Sequence, residues 1–270
     1  MKPFFFWKNA KAPAYPWRLF ALYSVFGVVA AVSILPYLLS LLHLSGNPLP
    51  IPLQQVVTEQ IIQSAIIILP AVGLGLLMAR RVKLGSPYLE ALVYRKKMPH
   101  GFGNVLSLSI ALGFLTSVII AIADLLFIRD EVLSNIGQVN AIPVAWRMLT
   151  AFYGGIDEEI LMRLFFMTLV AWIVWKVQRS PEKGASHTAI WIALGLSTFF
   201  FGLSHLPVTS ALTDVGPWVL LRALVLNGIG GAVFGWLYWK KGFEAAMISH
   251  FTADITLQVV VPTLVGALAA

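Results

Sequence analysis

Long apolar stretches, separated by short polar segments, dominate the hydrophobic pattern of this sequence. Each stretch is long enough to cross about 30 Å of hydrocarbon as an α-helix, at a rise of about 1.5 Å per residue. The pattern therefore predicts an all-α fold, a polytopic transmembrane helical bundle of about seven spans. The predicted spans cover residues 18–44, 55–79, 102–128, 143–175, 187–206, 217–239 and 243–268.

The composition supports a membrane protein. The chain is 59% hydrophobic and 11% charged, whereas a soluble domain is about 45–50% apolar and about a quarter charged. The absence of cysteine excludes disulfide bonds and Cys-ligated metals. We treat residues 1–270 as a single integral membrane domain, with a motif-bearing core at about 143–257, and expect it in the cell membrane of a bacterium or archaeon.

The net charge of +7 resembles that of a nucleic-acid-binding protein, but its placement indicates membrane topology. With the N-terminus in the cytosol, 15 of the 19 basic residues lie on the cytosolic side. This asymmetry predicts an N-in, C-out orientation. We expect membrane lipid as a partner and no nucleic acid. The cytosolic basic residues lie in segments 1–18, 80–100, 176–186 and 240–242.

Four charged residues lie together inside the fourth span. Each ionised group at the bilayer centre costs about 2.5–3.5 kcal/mol on insertion scales, so a functional or paired role is expected. Glu159 and Arg163 are four residues apart and can form an ion pair on one helix face. Glu158 points about 100° away from Glu159, so its partner must come from another span. Asp157 has no assigned role.

Candidate partners for Glu158 lie on two other spans. His205 is near the end of the fifth span, and His250 and Asp254 share a face of the seventh. An acid beside an imidazole can fix its tautomer and stabilise the imidazolium. Glu158 with the two histidines could deprotonate a water as a general base. The same three residues could instead ligate a divalent metal such as zinc, and no other cofactor is expected.

Helix geometry raises one difficulty for this grouping. By residue counting, His205 lies about 27 Å from the inner end of its span, and His250 about 10 Å from the inner end of its own. Straight helices cannot bring these two side chains to the same depth. The sequence therefore predicts either a fifth span that begins inside the cytosol, or a tilted or broken helix near Pro207 or Gly242. Asp124 and Arg222 are further intramembrane charges for which the sequence shows no partner.

Three motifs in this order carry a family resemblance. Glu158-Glu159-x-x-x-Arg163, Phe201-x-x-x-His205 and His250-x-x-x-Asp254, with the run at 235–250, resemble the CPBP family of CAAX proteases and bacteriocin-processing enzymes, also called Abi. The resemblance covers about residues 145–257. It implies an all-helical intramembrane endopeptidase, of glutamic or metallo type, that is similar to the type II CAAX prenyl endopeptidases.

The resemblance also implies roles for single residues. Glu158 would activate the water, His205 and His250 would assist it and the oxyanion, and a peptide or protein would be the substrate. The remaining implied site residues are Glu159 and Arg163, as supports, and Asp254, at the family's fourth position.

Asp254 departs from the family pattern, which has asparagine at this position. An ionised aspartate cannot donate a hydrogen bond to an oxyanion, so a role in orienting His250 is expected instead. The substrate could be a prenylated C-terminal tail, a peptide leader or a loop of a membrane protein.

Two other functions fit the same residues. Carboxylates and histidines also form proton relays, so a proton-coupled transporter is one alternative. A catalytically idle immunity or scaffold protein on the same fold is the other.

Overall fold

The computed structural model describes residues 15–44, 46, 51–127, 141–179, 184–210 and 214–264. Within these ranges the chain forms helices and no strand, which confirms the predicted all-α class. The basic residues up to Lys11, the acidic loop at 129–131 and the end of the seventh span at 265–268 lie outside the described residues.

Among the described residues, six helices are long and apolar enough to cross a membrane, and each coincides with one predicted span. The protein is therefore an integral membrane protein. The predicted orientation stays a prediction. The six helices are Trp17–Leu44, Leu53–Val82, Phe102–Phe127, Val144–Gln178, His187–Ser210 and Pro217–Lys241.

Several of these spans consist of more than one helical segment. The fourth span is α-helical at both ends and π-helical between them. The α-helices are α1 (Trp17–Ser33), α2 (Leu35–Leu44), α3 (Leu53–Val82), α4 (Pro87–Val93), α5 (Phe102–Asp124), α6 (Val144–Phe152), α7 (Thr168–Gln178), α8 (His187–Ser204), α9 (Leu206–Ser210), α10 (Pro217–Lys241) and α11 (Phe243–Ile255). The π-helical segments are π1 (Tyr153–Glu158), π2 (Ile160–Met167) and π3 (Thr256–Val260).

The seventh predicted span starts in a tight hairpin after α10. Gly242 has a φ of 106°, a conformation that L side chains rarely adopt, and this residue ends α10 and starts α11. Two hydrogen bonds connect the start of α11 to the segment that precedes the third span. Leu89 N donates to Glu244 Oε1 at 2.6 Å, and Phe243 N donates to the Gly85 carbonyl at 2.9 Å. The helix continues through π3 to residue 264 and lies outside the set of six.

The buried core lies between α1, α3, the fourth span, α8, α10 and α11. Helix α11 packs against α5, α6 and α10, so its polar face is enclosed by other helices. At the margin of this bundle, Asp124 of α5 pairs with Arg222 of α10. Arg222 Nε and Nη2 donate to the two carboxylate oxygens at 2.7 and 2.9 Å. These two intramembrane charges, which had no predicted partner, thus neutralise each other.

Candidate active site

The backbone that carries the acidic cluster is π-helical. Segments π1 and π2 flank Glu159, so both glutamates lie where the helix is wider than an α-helix. The Thr168 hydroxyl donates to the Arg163 carbonyl at 2.9 Å and lies 2.8 Å from the Tyr238 hydroxyl, at the point where α-helical bonding resumes. Such π segments occur often at functional sites. The sequence predicted a plain α-helix here, because apolar periodicity does not distinguish the two.

Glu158 lies between two imidazoles from other spans. Its Oε1 atom is 3.8 Å from His205 Nε2, and its Oε2 atom is 3.6 Å from His250 Nε2. The Glu158 side chain is 18% exposed and that of His205 33%, whereas that of His250 is 5% exposed. The carboxylate thus faces a partly open space with one imidazole on each oxygen. The structure brings these three residues together, as their types and spacing predict.

The fifth span is interrupted at His205. Helix α8 ends at Ser204 and α9 begins at Leu206. The cause is Pro207, which has no N–H to donate to the carbonyl of Leu203. The His205 side chain folds back along the preceding turn, and its Nδ1 lies 2.9 Å from the Phe201 carbonyl. A break near Pro207 was one of the predicted alternatives, but because α8 is unbroken up to Ser204 it leaves the rise from His187 to His205 unchanged, and the depth of His205 stays a prediction.

Glu159 contacts both a cation and a catalytic candidate. Its Oε1 atom lies 2.9 Å from Arg163 Nη1, which matches the ion pair expected from their spacing. The same oxygen lies 2.8 Å from His250 Nδ1, a contact between two spans that the sequence does not reveal. Both Glu159 and Arg163 have side chains with no exposed surface. Glu159 therefore links the buried cation to the imidazole that faces Glu158.

Two aromatic rings enclose the guanidinium of Arg163. Its Cζ atom lies 4.5 Å from the centre of the Phe201 ring and 5.5 Å from that of Phe234. Arg163 Nη2 donates to the Gly231 carbonyl at 3.4 Å, while Nε and Nη1 are buried without a hydrogen bond. The ring faces compensate part of the lost solvation of the cation.

The contacts of the two imidazoles indicate their tautomers. A carbonyl oxygen only accepts hydrogen bonds, so Nδ1 of His205 carries the proton toward Phe201. Nδ1 of His250 likewise faces the carboxylate of Glu159. In the neutral form, both residues therefore direct an unprotonated Nε2 toward Glu158.

Asp254 lies on the Nε2 side of His250 rather than on the Nδ1 side. Its Oδ1 atom is 3.7 Å from His250 Nε2, and its Oδ2 atom lies against Gly154. Glu159 rather than Asp254 contacts His250 Nδ1, and Asp254 faces the same space as Glu158. The orienting role expected of Asp254 stays a prediction. Gly154 permits this arrangement, because a Cβ atom there would collide with Asp254 and lie 3.0 Å from His250 Nε2.

The site combines the donor types of a zinc site, namely two imidazoles and a carboxylate. The oxygen acceptors on both Nδ1 atoms are also typical of metal-bound histidines. Within the described ranges, however, no group of three or more His, Cys, Asp or Glu side chains is arranged to hold a metal ion. The zinc alternative therefore stays a prediction.

Two residues near the site, Phe234 and Asp157, had no predicted role. The Phe234 ring is stacked on His250, and only the hairpin geometry could have revealed it, since both residues lie eight positions from Gly242. Asp157 is 4% exposed, and none of the described groups forms a hydrogen bond with it. Its role stays unassigned.

The three motifs fall within one region that matches a known family. Residues 140–256 match the family model described as "Rce1-like: Type II CAAX prenyl endopeptidase Rce1-like". A search of curated proteins and a search of solved structures found no match. Members of this family are proteases. The match therefore supports the interpretation that this chain is a membrane-embedded enzyme with a peptide or protein substrate. The match over residues 140–256, which include Glu158, His205, His250 and Asp254, supports membership of this chain in the CAAX protease family.

Proposed function

We propose that this protein is an intramembrane endopeptidase that hydrolyses a peptide bond with a water activated by Glu158, assisted by His205 and His250. One observation carries the proposal. The Glu158 carboxylate lies 3.8 and 3.6 Å from two imidazole nitrogens that belong to two other helices. These separations suit a water held between the carboxylate and an imidazole, because general-base catalysis works directly or through one water.

The proposed reaction needs no group beyond these side chains and water. Glu158 takes one proton from the water, and the hydroxide oxygen forms a bond to the carbonyl carbon of the substrate. The carbonyl oxygen becomes an oxyanion, which an imidazolium of His205 or His250 stabilises. Glu158 then returns the proton to the leaving nitrogen as the C–N bond breaks, so the products are a carboxylic acid and an amine.

The family description indicates the first substrates to test. Type II CAAX prenyl endopeptidases point to a protein with a prenylated C-terminal tail. The side chains of Glu158 and Asp254 are partly exposed, at 18% and 22%. An extended lipid-modified peptide would approach the site from this exposed side. A peptide leader is the second substrate class. The cell membrane of a bacterium or archaeon is the proposed location.

Removal of either imidazole tests the proposed site. We expect His205→Ala and His250→Ala each to lower kcat/KM by about 10² or more, the usual contribution of one acid–base partner. The measurement is cleavage of an internally quenched peptide with a farnesylated Cys-aliphatic-aliphatic-X tail, by protein in proteoliposomes. His187→Ala is the matched control, because among the described residues the His187 ring packs only against the Trp239 ring and lies at the far end of α8.

The same assay separates the alternatives. Undiminished cleavage by both histidine variants contradicts the proposed site. Loss of cleavage with 1,10-phenanthroline, restored by zinc, contradicts the metal-free mechanism and favours the metal alternative. Folded wild-type protein that cleaves neither the prenylated peptide nor its unprenylated counterpart contradicts protease activity on this substrate class.

Asp254→Asn is expected to raise kcat by about tenfold, a fraction of the 10²–10³ contributed by one oxyanion donor. The Asp254 carboxyl faces the space beside His250 Nε2, and in its ionised form it would repel a developing oxyanion there. The amide of asparagine has nearly the same shape and can donate a hydrogen bond there. The measurement is single-turnover cleavage of the farnesylated peptide, and Asp254→Leu serves as the control that removes the carboxyl group and supplies no donor.

A different result would assign Asp254 another role. If Asp254→Asn and Asp254→Leu both lose activity to the same extent, the carboxyl group itself is required, and the oxyanion interpretation is wrong.

A further inference from the structure

Phe234 covers one face of the His250 imidazole. The two rings are nearly parallel, with an interplanar angle of 19° and centroids 4.4 Å apart. Phe234 is 2% exposed, so the contact lies inside the bundle. The ring belongs to α10 and the imidazole to α11, on opposite sides of the Gly242 hairpin. The short connection between these helices fixes the register in which the two rings meet.

The hydrogen bond at Nδ1 does not by itself fix the orientation of His250. Its Nδ1 lies 2.8 Å from Glu159 Oε1, and a single hydrogen bond tolerates a range of angles, so the ring can still swing about its Cβ–Cγ bond. Such a swing would displace Nε2 from Glu158, since Nε2 lies off the Cβ–Cγ axis. A flat ring stacked on the imidazole face restricts this rotation, because tilting either ring brings their atoms into collision.

Phe234 also belongs to a closed set of contacts. Glu159 Oε1 contacts both Arg163 and His250, at 2.9 and 2.8 Å. The Phe234 ring contacts the same two partners, with the Arg163 guanidinium 5.5 Å from its centre. The cation, the carboxylate, the imidazole and the aromatic ring therefore hold one another in place. Phe234 is the one member of these four that has no polar side-chain atom, so its contribution is geometric.

We propose that Phe234 is a positioning residue that fixes the plane of the His250 imidazole, so that Nε2 stays directed at the reacting water beside Glu158. The inference rests on the proposed function of the site. A side chain of similar size without a flat ring would fill the space but leave the imidazole able to rotate. The loss would then appear in kcat rather than in substrate binding.

The test compares three substitutions of Phe234 with one of another buried phenylalanine. Phe234→Leu and Phe234→Met remove the flat ring, and Phe234→Tyr keeps it. Phe243→Leu is the matched control, because Phe243 is fully buried in the same hairpin and packs edge-on against Tyr23 and Tyr238, outside the contacts of His250. All four variants are assayed in proteoliposomes with the farnesylated quenched peptide, at equal amounts of folded protein.

We expect Phe234→Leu and Phe234→Met to lower kcat by about 10- to 100-fold, as small misplacements of a catalytic group do, with KM changed by less than about twofold. Phe234→Tyr should keep at least half of the wild-type kcat. Phe243→Leu should lower the thermal midpoint without lowering the kcat of the folded protein. Equal kcat losses in Phe243→Leu and Phe234→Leu, or unchanged kcat in Phe234→Met, would overturn the inference. Absence of cleavage by wild-type protein would instead contradict the proposed function.

Discussion

Glu158→Gln should lower kcat/KM for peptide cleavage by about 10²–10⁴, the range that a positioned general base contributes. The amide has the size of the carboxylate but accepts no proton from water at neutral pH. Within the described residues, the ion-pair contacts of Glu158 are those with the two imidazole nitrogens. Both distances are 3.6 Å or more, so these contacts add little to stability. We therefore expect the thermal midpoint of the variant to stay within a few degrees of the wild-type value.

The measurement combines cleavage of the farnesylated quenched peptide with thermal unfolding followed by tryptophan fluorescence. Glu59→Gln is the matched control, because Glu59 is exposed on α3 and bonds only to Gln55 in the described contacts. A variant that keeps more than a tenth of wild-type kcat/KM would show that Glu158 is not the base. Restored activity of Glu158→Gln in the presence of hydroxylamine, a nucleophile that needs no base, would support the role.

The spacing of charged residues accounts for much of the site. Glu159 and Arg163 pair as their separation of four predicts. Glu158 points to other helices and meets His205 and His250 there, as its lack of a same-face partner predicts. These outcomes follow from helix periodicity and from the cost of isolated charge in an apolar setting. Both are properties that a single sequence expresses.

Other features depend on packing and are not visible in the sequence. The π-helical form of segments π1 and π2 changes the directions of Asp157, Glu158 and Glu159, and no residue pattern in the span marks it. The second contact of Glu159, with His250 Nδ1, depends on the relative depth of the fourth span and α11. Residue counting along each span does not give this relative depth, because it assumes straight helices.

The position of Asp254 shows what helix spacing leaves open. Its spacing from His250 correctly places both residues on one helix face. The spacing does not say which ring nitrogen faces the carboxylate, and that choice decides between orienting the imidazole and facing the substrate. Glu159 occupies the Nδ1 side, so Asp254 is left on the Nε2 side. A contact from a different helix thus determines the chemistry available to Asp254.

Breaking the buried ion pair should separate stability from catalysis. Arg163→Met leaves the Glu159 charge buried without its cation, and Glu159→Leu leaves Arg163 in the same position. Each single substitution should lower the free energy of unfolding by about 3–5 kcal/mol, the usual cost of an uncompensated buried charge. Both side chains have no exposed surface, so solvent screening does not reduce this cost.

The double variant Glu159→Leu/Arg163→Met should recover most of this stability, because replacing both buried charges by apolar groups is often neutral or better. It should nevertheless remain slow in cleavage, with kcat lowered by about 10², because His250 Nδ1 no longer has the carboxylate at 2.8 Å. The two measurements are urea unfolding in detergent micelles and single-turnover cleavage in proteoliposomes. Asp124→Leu/Arg222→Met is the matched control, since this pair at the bundle margin has no contact with the site. Recovery of both stability and kcat in the double variant would show that Glu159 serves only to neutralise Arg163, and failure to recover stability would show that the two side chains do not act as a compensating pair.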